Sequence, residues 1–149
     1  MQVEHFYDVS INWKQDRVGV ASSEVLPSNI EVATPPEFPK GVAGVWSPEH
    51  FFVAAVNSCL MTTFLAIAEN SKLEFQSFQS KAIGKLEMIE DKLMISTITL
   101  MPTVQIADEL QKERAEKVLH KAAAACLITN SIKSKIIFLP EIIVATMAE

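Results

Sequence analysis

From Phe51 to Ala68 the chain reads FFVAAVNSCLMTTFLAIA, without a single charge and with one cysteine near its middle. A run of that length leaves few options. It is just long enough to cross a bilayer as a helix. Yet Asn57, Ser58, Thr62 and Thr63 lie at its centre, acidic residues flank it instead of Lys or Arg, and no aromatic belt closes its far end. Those features speak against a membrane span. What is left is a helix that is apolar nearly all round and therefore buried nearly all round. Its start is well marked: Ser47 suits the N-cap, Pro48 the first turn and Glu49 the positive end of the helix dipole. One small sheet and one further helix would cover such a helix poorly. A second subunit would supply the missing cover, so the residues themselves predict an obligate homodimer built around this helix.

The 149 residues fit one domain, 1–149, with enough chain to bury a real core. A net charge of −5 argues against nucleic acid, whose phosphates reward a basic surface. The opening residues, Met1 to His5, show no basic segment followed by an apolar run, so a secretory signal is not expected and the cytoplasm is the default location. Cys59 and Cys126 lie far apart and without CxxC or zinc-ligand spacing. In a reducing compartment a permanent structural disulfide is not expected. Nor do His5, His50 and His120 offer a usual zinc pattern with the cysteines, and the four glycines form no phosphate cradle. No metal or other cofactor is predicted.

Before the apolar run, Val3, His5, Tyr7, Val9, Ile11 and Trp13 alternate with mostly polar residues, which predicts a half-buried strand with His5 facing inward. Lys14 to Arg17 reads as a turn, Val18 to Glu24 as a returning strand, and Asn29 to Ala33 as a short third strand. Thr34 to Trp46, with three prolines and two glycines, is an irregular loop. After the apolar helix, Phe75 to Glu90 and Lys92 to Met101 predict two long strands joined near Asp91. A second helix is expected over about 108–128. Its apolar residues Ala115, Val118, Leu119, Ala122, Ala123 and Cys126 recur at three and four, opposite a charged face. Thr129 to Ser131 would break it or start a further short helix. Ile136 to Ala145 closes the chain as a strand, with Pro140 marking an edge or bulge. The order predicts an α+β fold, with helices packed on a largely antiparallel sheet.

Cys59 sits mid-helix, sharing a face with Phe52, Ala55, Val56, Thr62, Thr63 and Ala66. Burial there should raise the pKa of its thiol and leave it inert unless a cation is brought near. Of two arginines, Arg114 belongs to the charged face of the second helix. Arg17 follows Trp13 in a turn that could fold over a pocket, and an arginine stays charged when partly buried. As a plain hairpin residue Arg17 would simply be exposed. Cys126 closes the apolar stripe of the second helix and so faces the core, where the first helix must also lie.

The frame SPEHFFVAAVNSCLMTTFLAIA resembles the signature of the OsmC/Ohr family, the osmotically inducible protein C and organic hydroperoxide resistance proteins. It has a Pro-Glu pair (Pro48, Glu49) opening a long apolar helix, a cysteine ten residues after the Glu (Cys59) and a second cysteine in a later helix (Cys126). The order of predicted elements also fits across the chain. One departure is that Leu127 follows Cys126, where the family often has Pro. The resemblance implies an intertwined homodimer of antiparallel sheets and long buried central helices that reduces organic hydroperoxides with thiols. By the same resemblance Cys59 is the attacking thiolate, Cys126 the resolving thiol, Arg17 the stabilising cation and Glu49 its ion-pairing partner. An external dithiol would restore both cysteines. The aromatic residues Trp46, Phe51, Phe52 and Phe64 would suit an alkyl tail. Ten residues of helix separate Glu49 from Cys59 by about 15 Å and turn them roughly 80° apart, so either Arg17 spans part of the gap, or the helix bends, or the Glu49 serving a given Cys59 comes from the partner subunit, the arrangement favoured here.

Two other readings compete. A catalytically silent dimer of the same fold could bind a small apolar ligand, and would then tolerate loss of Cys59. A thiol redox sensor would need a partner surface, for which no motif stands out.

Overall fold

A computed structural model of the chain describes residues 3–145. Its elements run β1 (Ser10–Gln15), β2 (Val18–Ser23), β3 (Leu26–Ala33), α1 (Pro48–Asn70), β4 (Ser77–Ile89), β5 (Lys92–Ile106), α2 (Lys112–Ala125), α3 (Leu127–Asn130), β6 (Lys135–Phe138) and β7 (Glu141–Val144). The α+β class is as expected. The chain divides into two compact units, Met1–Phe51 and Phe52–Glu149.

In the first unit β1, β2 and β3 form an antiparallel meander. The turn between β1 and β2 takes its reversal from Asp16, whose φ of 47° lies in the left-handed region. The Trp13 indole donates to the Asp16 carbonyl at 3.0 Å and braces that turn. Two expectations need correction here. The first strand begins at Ser10, not Val3, and its apolar side is not buried in the protomer: Trp13 is 77% exposed, and His5 is exposed as well. Alternation marks which side of a strand wants cover, but a three-stranded meander has no layer of its own to lay across it. The loop over 34–46 holds its shape through backbone bonds, Val42 N–H to Thr34 O and Ala33 N–H to Trp46 O, both 2.9 Å. Gly41 is required in it, because a Cβ there would stand 2.0 Å from the Pro35 carbonyl oxygen. The loop ends on Ser47, whose Oγ accepts the His50 N–H at 3.2 Å and so caps α1 as anticipated.

In the second unit the body of α1 lays Val56, Leu60, Phe64 and Ala68, spaced by four, into a core shared with the sheet and α2. Phe64 is fully buried between the rings of Phe75 and Phe78, 5.1 and 4.8 Å between centroids. The helix comes so close to β4 that a Cβ on Gly84 would stand 2.6 Å from the Val53 side chain. A reciprocal pair fixes its height: Asn57 Nδ2 donates to the Ser80 carbonyl at 2.8 Å, and Ser80 Oγ donates to Asn57 Oδ1 at 2.6 Å. The opposite face of α1 is different. Ser58, Met61, Thr62, Leu65, Ala66 and Glu69 are exposed in the protomer, so nearly all-round burial is not reached within one chain.

The hairpin β4–β5 turns through Glu90 and Asp91, with φ of 48° and 65°, the geometry whose twist matches paired strands. β5 is the centre of the sheet. Ile98, Leu100, Pro102, Val104 and Ile106 point to the core side from alternate positions. Two features of the last strand add to the expected largely antiparallel sheet. The last predicted strand is split by Leu139–Pro140 into β6 and β7, since proline has no N–H to give the ladder. Both pair with β5 in parallel, not antiparallel. The chain leaves β5 through α2 before it returns, and a helical crossover brings a strand back in the same direction.

Candidate active site

The charged face and apolar stripe of α2 are as read from the sequence, with Ala115, Val118, Leu119 and Ala122 buried. Its end is not. The helix was expected to run to about Ile128, yet it stops at Ala125, and Cys126 takes an extended backbone, φ −65° and ψ 113°. A new turn of helix, α3, starts directly after it. This break turns the Leu127 and Ile128 amides out of any continuing α2 ladder and leaves them free to point elsewhere.

They point at Cys59. Burial pushes the Cys59 thiol up, but the Ile128 N–H, the Cys126 thiol, the Thr63 hydroxyl and the Leu127 N–H act the other way. The net result is a pKa below the ordinary cysteine range. Thr63 Oγ1 stands 3.8 Å from the sulfur, one helical turn on. Both cysteines are free and buried, 8% and 1% exposed, and Cys126 lies within hydrogen-bonding reach of Cys59. The two thiols that lie 67 positions apart in sequence are therefore neighbours across two helices.

The expectation that only a cation could activate a buried Cys59 is thus too narrow. Amide and hydroxyl dipoles aimed at the sulfur favour its charged form without any net charge. Nothing in the side chains of Leu127 and Ile128 signals this, because the donors are backbone groups present in every residue but proline. Arg17 lies in the β1–β2 turn and Glu49 in the first turn of α1. The two form no ion pair with one another among the described residues. Phe64, grouped above with aromatics suited to an alkyl tail, is wholly within the core and cannot line a substrate site. Trp46 and Phe51 stack on each other at 5.7 Å, and Phe52 is half-buried. Among the described residues no group of three or more His, Cys, Asp or Glu converges as a metal site would need.

A depressed thiol pKa has a direct consequence. Alkylation of Cys59 by iodoacetamide should reach half of its plateau rate at a lower pH than an ordinary thiol does, and decline as pH falls through the lowered value. Mass spectrometry of the Cys59 peptide across a pH series reads this. The same shift adds stability that is present above the unfolded thiol's pKa and is lost as pH falls through the folded one.

The family model for OsmC-like protein matches residues 41–139, which include both cysteines and Glu49. The chain belongs to the OsmC-like family. Its fold agrees with that of an OsmC-like protein of unknown function from Vibrio cholerae O1, at a TM-score of 0.82 and 24% identity, covering 92% of this chain and 99% of that one. An organic hydroperoxide resistance protein from Elizabethkingia anophelis shares the fold at a TM-score of 0.72 and 18% identity, over 96% of this chain and all of the other. In sequence, the uncharacterized protein YmaD of Bacillus subtilis is 25% identical over 141 residues, 91% of each chain. Arg17 falls outside the matched segment of the OsmC-like model.

Proposed function

We propose that this OsmC-like protein is a thiol-dependent peroxidase that reduces organic hydroperoxides to alcohols. The observation that carries the reading is the meeting of Cys59 and Cys126, with Cys59 held toward its thiolate by uncharged donors. The Cys59 thiolate attacks the distal oxygen of R–O–O–H. An S–O bond forms, the O–O bond breaks, and the alkoxide leaves as the alcohol after taking a proton. Cys126 then attacks the sulfenic sulfur, hydroxide leaves as water, and a disulfide closes. An external dithiol reduces it by exchange and resets the pair. Solved OsmC-like structures that bear the name organic hydroperoxide resistance protein support the substrate class. Glu49 lies within the matched segment and Arg17 takes its role from the resemblance: the guanidinium would stabilise charge on the leaving oxygen, and the carboxylate would orient it. The cytoplasm, where thiols are kept reduced, suits this cycle.

The working form in this reading is a homodimer. What supports it is the uncovered face of α1, where Met61 and Leu65 are 40% and 41% exposed. Apolar side chains at that spacing on a solvent-facing helix favour a second copy as their cover. Leu65→Lys with Met61→Lys should convert the protein to monomer or unfold it, read by analytical ultracentrifugation. A dimer unchanged by both lysines would place the interface elsewhere.

The direct test is stopped-flow mixing of reduced protein with cumene hydroperoxide and with hydrogen peroxide. Fast consumption of the organic peroxide, with slower consumption of hydrogen peroxide, is the expected result. If neither is consumed, the silent dimer that binds a small apolar ligand becomes the better reading.

A further inference from the structure

A threonine inside a helix ordinarily returns its hydroxyl to a carbonyl one turn back. Thr62 does this, donating to the Cys59 carbonyl at 3.1 Å. Thr63, the next residue, behaves differently: its Oγ1 lies 3.8 Å from the Cys59 sulfur. We propose that Thr63 holds the Cys59 sulfur in its thiolate form, and so sets the pH at which this site becomes reactive. This rests on the peroxidase reading for its purpose, but not for its test.

The argument is one of hydrogen-bond direction. A hydroxyl has one proton and two lone pairs, so it can accept from a thiol or donate to a thiolate. Beside a neutral S–H the contact is weak in either sense. Once the sulfur loses its proton only donation is left, and a donor to an ion forms the stronger bond. The contact therefore gains strength on ionisation. Geometry protects it, because residues four apart stack on one helix face and the half-buried Thr63 has little water to compete. The Cys59 carbonyl already has the Thr62 hydroxyl as a partner, which leaves the sulfur to Thr63. The other groups acting on the sulfur are the Cys126 thiol, the titratable neighbour from the α2–α3 break, and the amides of Leu127 and Ile128. None of these carries a fixed charge, and a Thr63 substitution leaves Arg17 unchanged, so the comparison reads the hydroxyl alone. Cys126 can also turn to its later task of condensing with a sulfenic acid while Thr63 keeps its contact.

Thr63→Val removes the hydroxyl and keeps the branched shape. Loss of one donor to an ion should raise the Cys59 pKa by about one unit. Thiolate nucleophilicity rises with pKa at a slope of about 0.5, so the effect on rate has two signs. In reduced full-length protein, iodoacetamide should alkylate Cys59 about threefold more slowly at a pH below both pKa values. It should do so about threefold faster on the alkaline plateau. The two pH profiles then cross. Thr63→Ser, which restores the hydroxyl, should follow the parent, and Thr63→Ala should cross as Thr63→Val does. The Cys59 peptide is followed by mass spectrometry, so Cys126 does not confuse the count. Superimposed profiles for parent and Thr63→Val or Thr63→Ala would overturn the proposal, as would a Thr63→Ser profile displaced as far as theirs. Alkylation needs no peroxide: failure to consume peroxide would sink the peroxidase reading and leave this result standing.

Discussion

Cys59→Ser is expected to abolish peroxide consumption, with a loss on the order of a thousandfold or more. A serine hydroxyl beside the same donors stays protonated at neutral pH, and an uncharged oxygen is a poor nucleophile toward a peroxide. Cys126→Ser should behave in another way. Its Cys59 keeps the Ile128, Leu127 and Thr63 donors, so the first attack should still proceed. One equivalent of cumene hydroperoxide would be consumed in a fast phase, leaving Cys59 as sulfenic acid, seen as the addition of one oxygen by mass spectrometry. Steady turnover with a dithiol should then fall by roughly tenfold or more, because the internal resolving thiol is gone. The parent under the same single-equivalent conditions should instead show the Cys59–Cys126 disulfide. Full turnover by Cys59→Ser would contradict the assignment of the nucleophile. A parent that accumulates sulfenic acid and no disulfide would contradict the role given to Cys126.

Phe64→Ala should lower stability by about 3–5 kcal/mol. The side chain is fully buried, packs between Phe75 and Phe78, and lies on the stripe by which α1 joins the sheet. Truncation removes an aromatic ring and leaves a cavity that backbone on two sides, helix and strand, is poorly able to close. In urea, with a slope of about 1–3 kcal/mol per molar, the midpoint should fall by roughly 1–5 M at fixed protein concentration. The contrast is Leu110→Ala. Leu110 is 87% exposed in the 3-10 turn before α2, and its loss should change stability by no more than about 0.5 kcal/mol. A Phe64→Ala midpoint within error of the parent would mean that α1 is held by something other than this stripe.

Legibility from sequence followed the range of the interaction involved. Local chemistry was readable. The Ser47 cap, the turn at Glu90 and Asp91 and the amphipathic α2 each depend on residues within a few positions of one another. The apolar stripes also turned Cys59 and Cys126 toward the same core, and the resemblance to a known family gave them their roles as a pair. The misreadings share a different origin. Val3 to Val9 alternate as a strand would, yet a strand needs a partner strand and a covering layer, and alternation carries no record of either. The α2 stripe runs on into Cys126, so periodicity continued the helix past the point where the chain breaks it. The parallel pairing of β6 and β7 depends on where a crossover helix delivers the chain, which no window of residues contains.

By itself the amino-acid order determined that this chain has a long uncharged helix carrying a thiol, a second helix carrying another, and strands enough to support them. Those follow from side-chain periodicity, capping and charge, which act over one or two turns. Only the tertiary structure decided how the Cys59 sulfur is made acidic. Two of the four groups that do it are backbone N–H donors, identical in nearly every residue, and these become specific only when a break at Cys126 aims them across the gap between two helices.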